Sequence, residues 1–201
     1  MITKEIKSIG IFCGSALGKN PAYAERAKLL GKLLADEKIH LVYGAGNVGI
    51  MGVLADAVLD NGGTVTGVIT KNLVDVELAH DRITETIITD TLSERKSIIE
   101  GISDAFIALP GGYGTMDEFF EMLTLNQLSI IKKPIGLLNT LGFFNPLIAM
   151  SEHYVNEGFV RPEHKNIFVI DENETNLLHK LRTSDLVETA KWLENFKTEK
   201  F

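Results

Sequence analysis

Short apolar runs alternate with longer segments of helical period from one end of the chain to the other. The apolar runs predict strands near Ile6 to Cys13, His40 to Tyr43, Thr64 to Ile69, Ile83 to Thr89, Ala105 to Leu109, Ile135 to Leu138 and Ile167 to Ile170. Between them the pattern predicts helices near Pro21 to Glu37, Val48 to Asn61, Thr91 to Ser103, Met116 to Ile131 and Phe143 to Glu157, with a last one from Glu174 to about Phe196. Strands alternating with helices imply βαβ units, and hence an α/β fold with a parallel sheet covered by helices on both faces. No linker, repeat or low-complexity stretch divides the chain, so one domain over residues 1–201 is expected.

Composition narrows the function classes. Hydrophobic residues make up 45% and charged residues 23%, ordinary values for a globular protein large enough to bury a core. The 27 acidic side chains outnumber the 20 basic ones, for a formal charge of -7. That balance argues against affinity for a nucleic-acid polymer and leaves room for a small anion at a local basic site. Cys13 is the single cysteine, so no internal disulfide forms, and it reads as a small buried hydrophobe at a strand end. No apolar run reaches the length of a membrane span, and the first residues lack the apolar core of a signal peptide. A cytoplasmic protein with no membrane association is expected.

In a parallel sheet of this kind the ligand sits beyond the carboxyl ends of the strands. Three glycine-rich loops are predicted there: "CGSALG" from Cys13, "YGAGNVGIMG" from Tyr43 and "LPGGYGTMDE" from Leu109. Glycine lets backbone N–H groups approach an oxyanion, and the helix that follows presents its positive end. One such loop would read as a tight turn. Three at one edge favour a nucleotide or a sugar phosphate, with Gly14, Ser15, Gly46, Gly111 and their neighbours as candidate contacts.

The familiar phosphate motifs do not fit. Gly44, Gly46 and Gly49 match G-x-G-x-x-G, but the next strand ends in Thr70 and Lys71 where a dinucleotide site needs an acidic residue. "GSALGKN" is one residue short of a P-loop and has Asn20 in place of Ser or Thr. The five histidines form no zinc motif and there is no G-x-S-x-G elbow, so neither a metal site nor a serine hydrolase is expected.

Two charged residues stand out. On the helix "TLSERKSIIEGIS", at 100° per residue, Arg95 falls within the apolar stripe of Leu92, Ile98, Ile99 and Ile102. A guanidinium there must snorkel out, pair with a carboxylate or meet an anionic ligand. Glu118 ends the sequence Thr115-Met116-Asp117-Glu118, which has the form of a capping box that would place the glutamate at a helix start. The glycine cradle just before it offers the other reading, a carboxylate mounted on a phosphate site.

"SERK" from Ser93 to Lys96, followed by "PGGYGTMDE" from Pro110 to Glu118, resembles the paired signature of the LONELY GUY (LOG) family. "FCGS" at Phe12, "YGAGNVGIMG" at Tyr43 and "KPIGLLN" at Lys133 are similar to that family as well, so the resemblance spans nearly the whole chain. It implies a Rossmann-like homodimer that hydrolyses cytokinin riboside 5′-monophosphates, and in many members AMP, with no cofactor, metal or nicotinamide. It places the catalytic pair on Arg95 and Glu118 and the nucleotide-binding positions on Lys96, Gly112, Tyr113, Gly114, Thr115, Glu77 and Thr124. Two positions depart from the family's pattern. Its usual "GGGS" reads Gly44-Ala45-Gly46-Asn47, and Ala16 follows Ser15 where a second serine is common.

On this reading Glu118 stabilises the oxocarbenium-like ribose and orients or deprotonates water. Arg95 holds the phosphate or the sugar hydroxyls, and the N–H groups of residues 111–114 cradle the phosphate. The apolar residues of "FFEMLTLNQLSII" point almost all round their helix, which predicts burial on every side, within the domain or at a subunit interface. Two rival readings remain: a carrier of a phosphorylated cofactor, such as the molybdenum cofactor carriers of the same superfamily, and a lysine decarboxylase, a label often attached to this family. The first needs the cradle without the pair, and no lysine stands in a context suited to pyridoxal phosphate for the second.

Overall fold

The computed structural model describes residues 4–74 and 79–184. Seven strands form one sheet: β1 (Ser8–Phe12), β2 (His40–Tyr43), β3 (Val65–Thr70), β4 (Glu85–Thr89), β5 (Ala105–Ala108), β6 (Ile135–Leu138) and β7 (Val169–Asp171). They lie in the order β4-β3-β2-β1-β5-β6-β7, and every pairing is parallel. The connecting helices are α1 (Ala22–Asp36), α2 (Gly49–Asp60), the short α3 (Lys71–Val74), α4 (Leu92–Ile102), α5 (Tyr113–Gln127), α6 (Asn145–Asn156) and α7 (Glu174–Thr183). Two 3-10 turns, Thr140–Gly142 and Pro162–Asn166, complete the described elements.

Alternate residues of each strand face opposite layers, and both layers are apolar. Ile9 and Ile11 of β1 and Leu41 and Tyr43 of β2 pack with Leu30 and Leu34 of α1, Leu54 and Val58 of α2, and Leu177 and Leu181 of α7. On the other face Phe12, Val42, Val68, Phe106 and Leu137 pack with Ile99 of α4 and Phe119 and Met122 of α5. A sheet buried on both faces is why the strands read as continuous apolar runs. The exception is β4 at the edge, where Ile88 is 54% exposed.

The predicted elements are all present within the described residues, with shifted ends. Ile6 and Ile83 are apolar and pack on the core, yet they precede the hydrogen-bonded ladders of β1 and β4. Burial without pairing explains why the apolar pattern overran the strands. The last predicted helix is observed as Glu174–Thr183, and its expected continuation to Phe196 lies outside the described residues. No helix among the described residues is long and apolar enough to cross a membrane.

Strands β1 and β5 are neighbours whose following helices, α1 and α5, lie on opposite faces. Their loops part at the carboxyl edge, which opens the crevice where such sheets take ligands. Backbone bonds lock the glycine-rich loops there. Gly14 N–H donates to Pro110 C=O at 3.1 Å, and Ile50 N–H donates to Gly14 C=O at 3.0 Å.

Candidate active site

The crevice contains a cleft of about 310 Å³. It is walled by the loop after β1 (Cys13, Gly14, Ser15), by Arg95 and Lys96 of α4, and by the start of α5 from Gly112 to Glu118, with Met51, Leu73 and Leu92 supplying apolar surface. Of the residues singled out in the sequence, Gly14, Ser15, Arg95, Lys96, Gly112, Tyr113, Gly114, Thr115 and Glu118 meet there. Gly111 lines an adjoining cleft that shares Gly14, Ser15 and Gly112. Gly46 is buried, bridged to Ala79 and not among the residues that line this cleft. Thr124 is exposed on α5 and its hydroxyl donates to Phe120 C=O at 2.7 Å. Glu77 lies outside the described residues.

Of the two readings of Thr115–Glu118, the capping box does not hold. Helix α5 starts at Tyr113, not near Met116, with Gly112 as its N-cap and no side chain capping it. Met116 N–H makes the bond to Gly112 C=O at 3.2 Å. Thr115 is therefore inside the first turn, its side chain buried against Gly111, where an added Cβ would lie 2.1 Å from Thr115 Oγ1. Glu118 sits a turn deeper than a box requires, and the head of α5 lines the cleft without an acidic side chain in the first turn.

Glu118 is instead paired with Arg95. Arg95 Nη1 donates to Glu118 Oε1 at 2.7 Å, and Arg95 Nε donates to Val68 C=O at 2.8 Å. Burial raises the Glu118 carboxyl above its ordinary pKa, and Arg95 pulls in the opposite direction. A carboxylate so placed is more basic than one in water while keeping a counter-charge. The apolar stripe of α4 is only partly realised: Ile99 is buried, whereas Leu92 and Ile102 are exposed, Leu92 at the cleft.

Lys96 also reaches the cleft, held by Asp117 Oδ2 at 3.0 Å and by the Glu121 carboxylate. Glu121 foremost, then Asp117, keep its ammonium above the ordinary lysine range. At the floor, Cys13 is buried, and desolvation together with the nearby Glu118 pushes its thiol up, so it stays protonated as the strand-end reading expects. Val68 C=O, Asp117 and Glu121 were missed as site partners. The first is a backbone group, and the other two become relevant only once α4 and α5 lie side by side.

Ala45 has φ 65°. This left-handed conformation favours glycine, which accounts for the glycine usual at this position in the LONELY GUY pattern. Its carbonyl is anchored by His80 N–H at 2.9 Å.

A family model described as "Possible lysine decarboxylase" matches residues 51–181. The chain is 39% identical over 181 residues to a cytokinin riboside 5′-monophosphate phosphoribohydrolase of Arabidopsis thaliana, covering 90% of this chain and 79% of that protein. It is 42% identical over 165 residues to the protein of the same name from Rhodococcoides fascians, covering 82% of this chain and 83% of that protein. Among solved structures, a molybdenum cofactor binding protein from Rippkaea orientalis is similar, with a TM-score of 0.65 and 26% identity over 88% of this chain and 96% of that one. The molybdenum cofactor carrier protein of Chlamydomonas reinhardtii gives a TM-score of 0.65 at 20% identity over 87% of this chain and 95% of that one, a likeness of fold. With two phosphoribohydrolase relatives matched over 79% and 83% of their own lengths and the family's paired signature gathered around one cleft, this chain belongs to the LONELY GUY family.

Proposed function

We propose that the chain hydrolyses the N-glycosidic bond of a nucleoside 5′-monophosphate, AMP or an N6-modified AMP of the cytokinin riboside type, to free base and ribose 5-phosphate. The observation that carries this is the buried Arg95–Glu118 pair beside the uncapped head of α5. The amides of Gly112, Tyr113 and Gly114 meet the phosphate, with Lys96 adding positive charge.

The bond from the ribose anomeric carbon to the base nitrogen breaks, and positive charge grows on the sugar. Arg95 engages Oε1 of Glu118, which leaves Oε2 for the anomeric centre and for the water that attacks it. The raised basicity of the carboxyl suits it to take that water's proton. Arg95 has five N–H donors, and two are committed to Glu118 and Val68. Its first role is therefore to aim the carboxylate, with the remaining donors available to the sugar or the phosphate.

Gly112 and Gly114 support the phosphate reading in a second way. A Cβ at either would meet no protein atom within 4 Å, and neither has a positive φ. The chain's own packing does not demand glycine there, whereas a close-approaching anion does.

For the homodimer, the support is the apolar layer around α5 and α6. In the single chain the apolar stretch is not covered all round: just beyond α5, Leu128 is 38% and Ile130 65% exposed, and Phe159 beyond α6 is 85% exposed. A second copy would cover this surface. The decarboxylase reading fits poorly, because Lys96 is held as an ammonium by two carboxylates and a Schiff base needs a neutral amine.

The test is to incubate the purified protein, without added metal, with AMP and with N6-isopentenyl adenosine monophosphate, and to measure base and ribose 5-phosphate by chromatography. Release that Glu118→Gln abolishes is expected. Tight nucleotide binding with no release from either substrate would favour the carrier reading instead.

A further inference from the structure

Gly44, the first glycine of the loop after β2, is explained by neither a turn nor a ligand. It is buried, its φ is not in the left-handed region, and it is not part of the cleft wall. What it adjoins is Arg95. A Cβ at residue 44 would lie 2.3 Å from Arg95 Nη2, with Met51 Sδ at 3.4 Å and Arg95 Cζ at 3.5 Å.

The backbone at Gly44 is thus compatible with alanine, and the atom in the way is the tip of a long side chain, which can swing aside without disturbing the sheet. Swinging aside has a defined consequence. Arg95 is held at Nε by Val68 C=O and at Nη1 by Glu118, so a guanidinium that leaves the space beside Gly44 must give up one or both bonds. The cost falls on the site rather than on the fold.

We propose that Gly44 is a positioning residue, which reserves the space that seats the Arg95 guanidinium against Glu118. The proposal rests on the reading of Glu118 as the reacting carboxylate. The amides at the head of α5 do not touch Gly44, so a methyl group there spares phosphate binding and disturbs the carboxylate. Turnover falls while KM is little changed.

The experiment compares Gly44→Ala, Arg95→Ala and the double variant by two readouts: kcat and KM for AMP, and the titration midpoint of the Glu118 carboxyl by carbon NMR, assigned with Glu118→Gln. Gly44→Ala is expected to lower kcat about tenfold or more and to move the Glu118 midpoint upward, in the direction Arg95→Ala moves it. The double variant should be no worse than Arg95→Ala alone, because the glycine acts through the arginine. An unmoved midpoint in Gly44→Ala, or a double variant whose losses multiply, overturns the proposal. If Gly44→Ala does not fold, Gly44→Ala with Arg95→Lys, which lacks the colliding Nη2, should fold, and its failure to do so equally overturns it. Because the NMR titration needs no substrate, a shifted midpoint alongside absent base release in the wild type would sink the catalytic reading and leave the positioning role standing.

Discussion

Arg95 and Glu118 meet through a 2.7 Å hydrogen bond between Nη1 and Oε1, with 12% of each side chain exposed. A pair this buried stabilises little in itself, but breaking it leaves one charge stranded, at a cost of about 3–5 kcal/mol. Arg95→Ala should therefore lose roughly that much at neutral pH. The loss should shrink as the pH falls and the stranded carboxyl takes a proton. Urea unfolding midpoints at pH 7.5 and pH 5 measure this, and an equal loss at both would mean that the two charges are not coupled.

The pH dependence of the wild type follows from the same carboxyl. Its folded pKa is raised, so the folded state holds this proton more tightly than the unfolded chain does. Ionising Glu118 therefore costs stability: the contribution is fully present below the unfolded value, about 4.3, and is lost as pH rises through the raised folded value. On the proposed mechanism activity runs the other way, since there the ionised form takes the water's proton. The acidic limb of kcat should lie above the usual carboxylate range, and it should move higher in Arg95→Ala. A limb near an ordinary glutamate's pKa would remove Glu118 as the titrating group.

Glycines at the crevice divide into two kinds, and alanine substitution separates them. Gly49 has φ 59° and a Cβ there would lie 2.3 Å from the Ser15 carbonyl carbon, so Gly49→Ala should destabilise the fold by about 2 kcal/mol or more. Gly112→Ala, at an N-cap where glycine is preferred to alanine, should cost at most about 1 kcal/mol, and Gly114→Ala, inside the first turn, should gain up to about 1 kcal/mol. They should instead weaken AMP binding about tenfold or more while leaving adenosine binding nearly unchanged. Thermal unfolding with calorimetric titration of both ligands reads the two effects. Equal weakening for nucleoside and nucleotide would place the phosphate elsewhere.

A charge on the exposed end of the α5 layer tests assembly. Ile130 is 65% exposed on one chain, so Ile130→Asp should leave the unfolding midpoint of a monomer almost unchanged. If that surface joins two copies, the buried carboxylate should shift the protein from dimer to monomer in sedimentation. A wild type that sediments as a monomer would refute the dimer outright.

Much of this molecule was legible without coordinates. The alternation of apolar runs and helical segments follows from a sheet whose two faces are both buried, and it located all seven strands. Arg95 was marked because a guanidinium among isoleucines needs a partner. The Thr115–Glu118 stretch could not be resolved in this way, because the same four residues suit a capping box or a second helical turn. Local propensity favoured the box, since Gly114 inside a helix costs about 1 kcal/mol.

Periodicity and glycine content were enough to set the layers, the edge of the sheet where the glycine-rich loops gather, and the residue types available there, since these depend on local pattern and on glycine's lack of a side chain. Tertiary structure decided where α5 begins and what Glu118 faces. Thr115 packs on Gly111, and Gly14 N–H is tied to Pro110 C=O, so the helix head is set by contacts between loops far apart in sequence. Only when α4 lies beside α5, with the space at Gly44 left open, do Arg95 and Glu118 become a pair. That pairing is a property of distance in space, which no local spacing encodes.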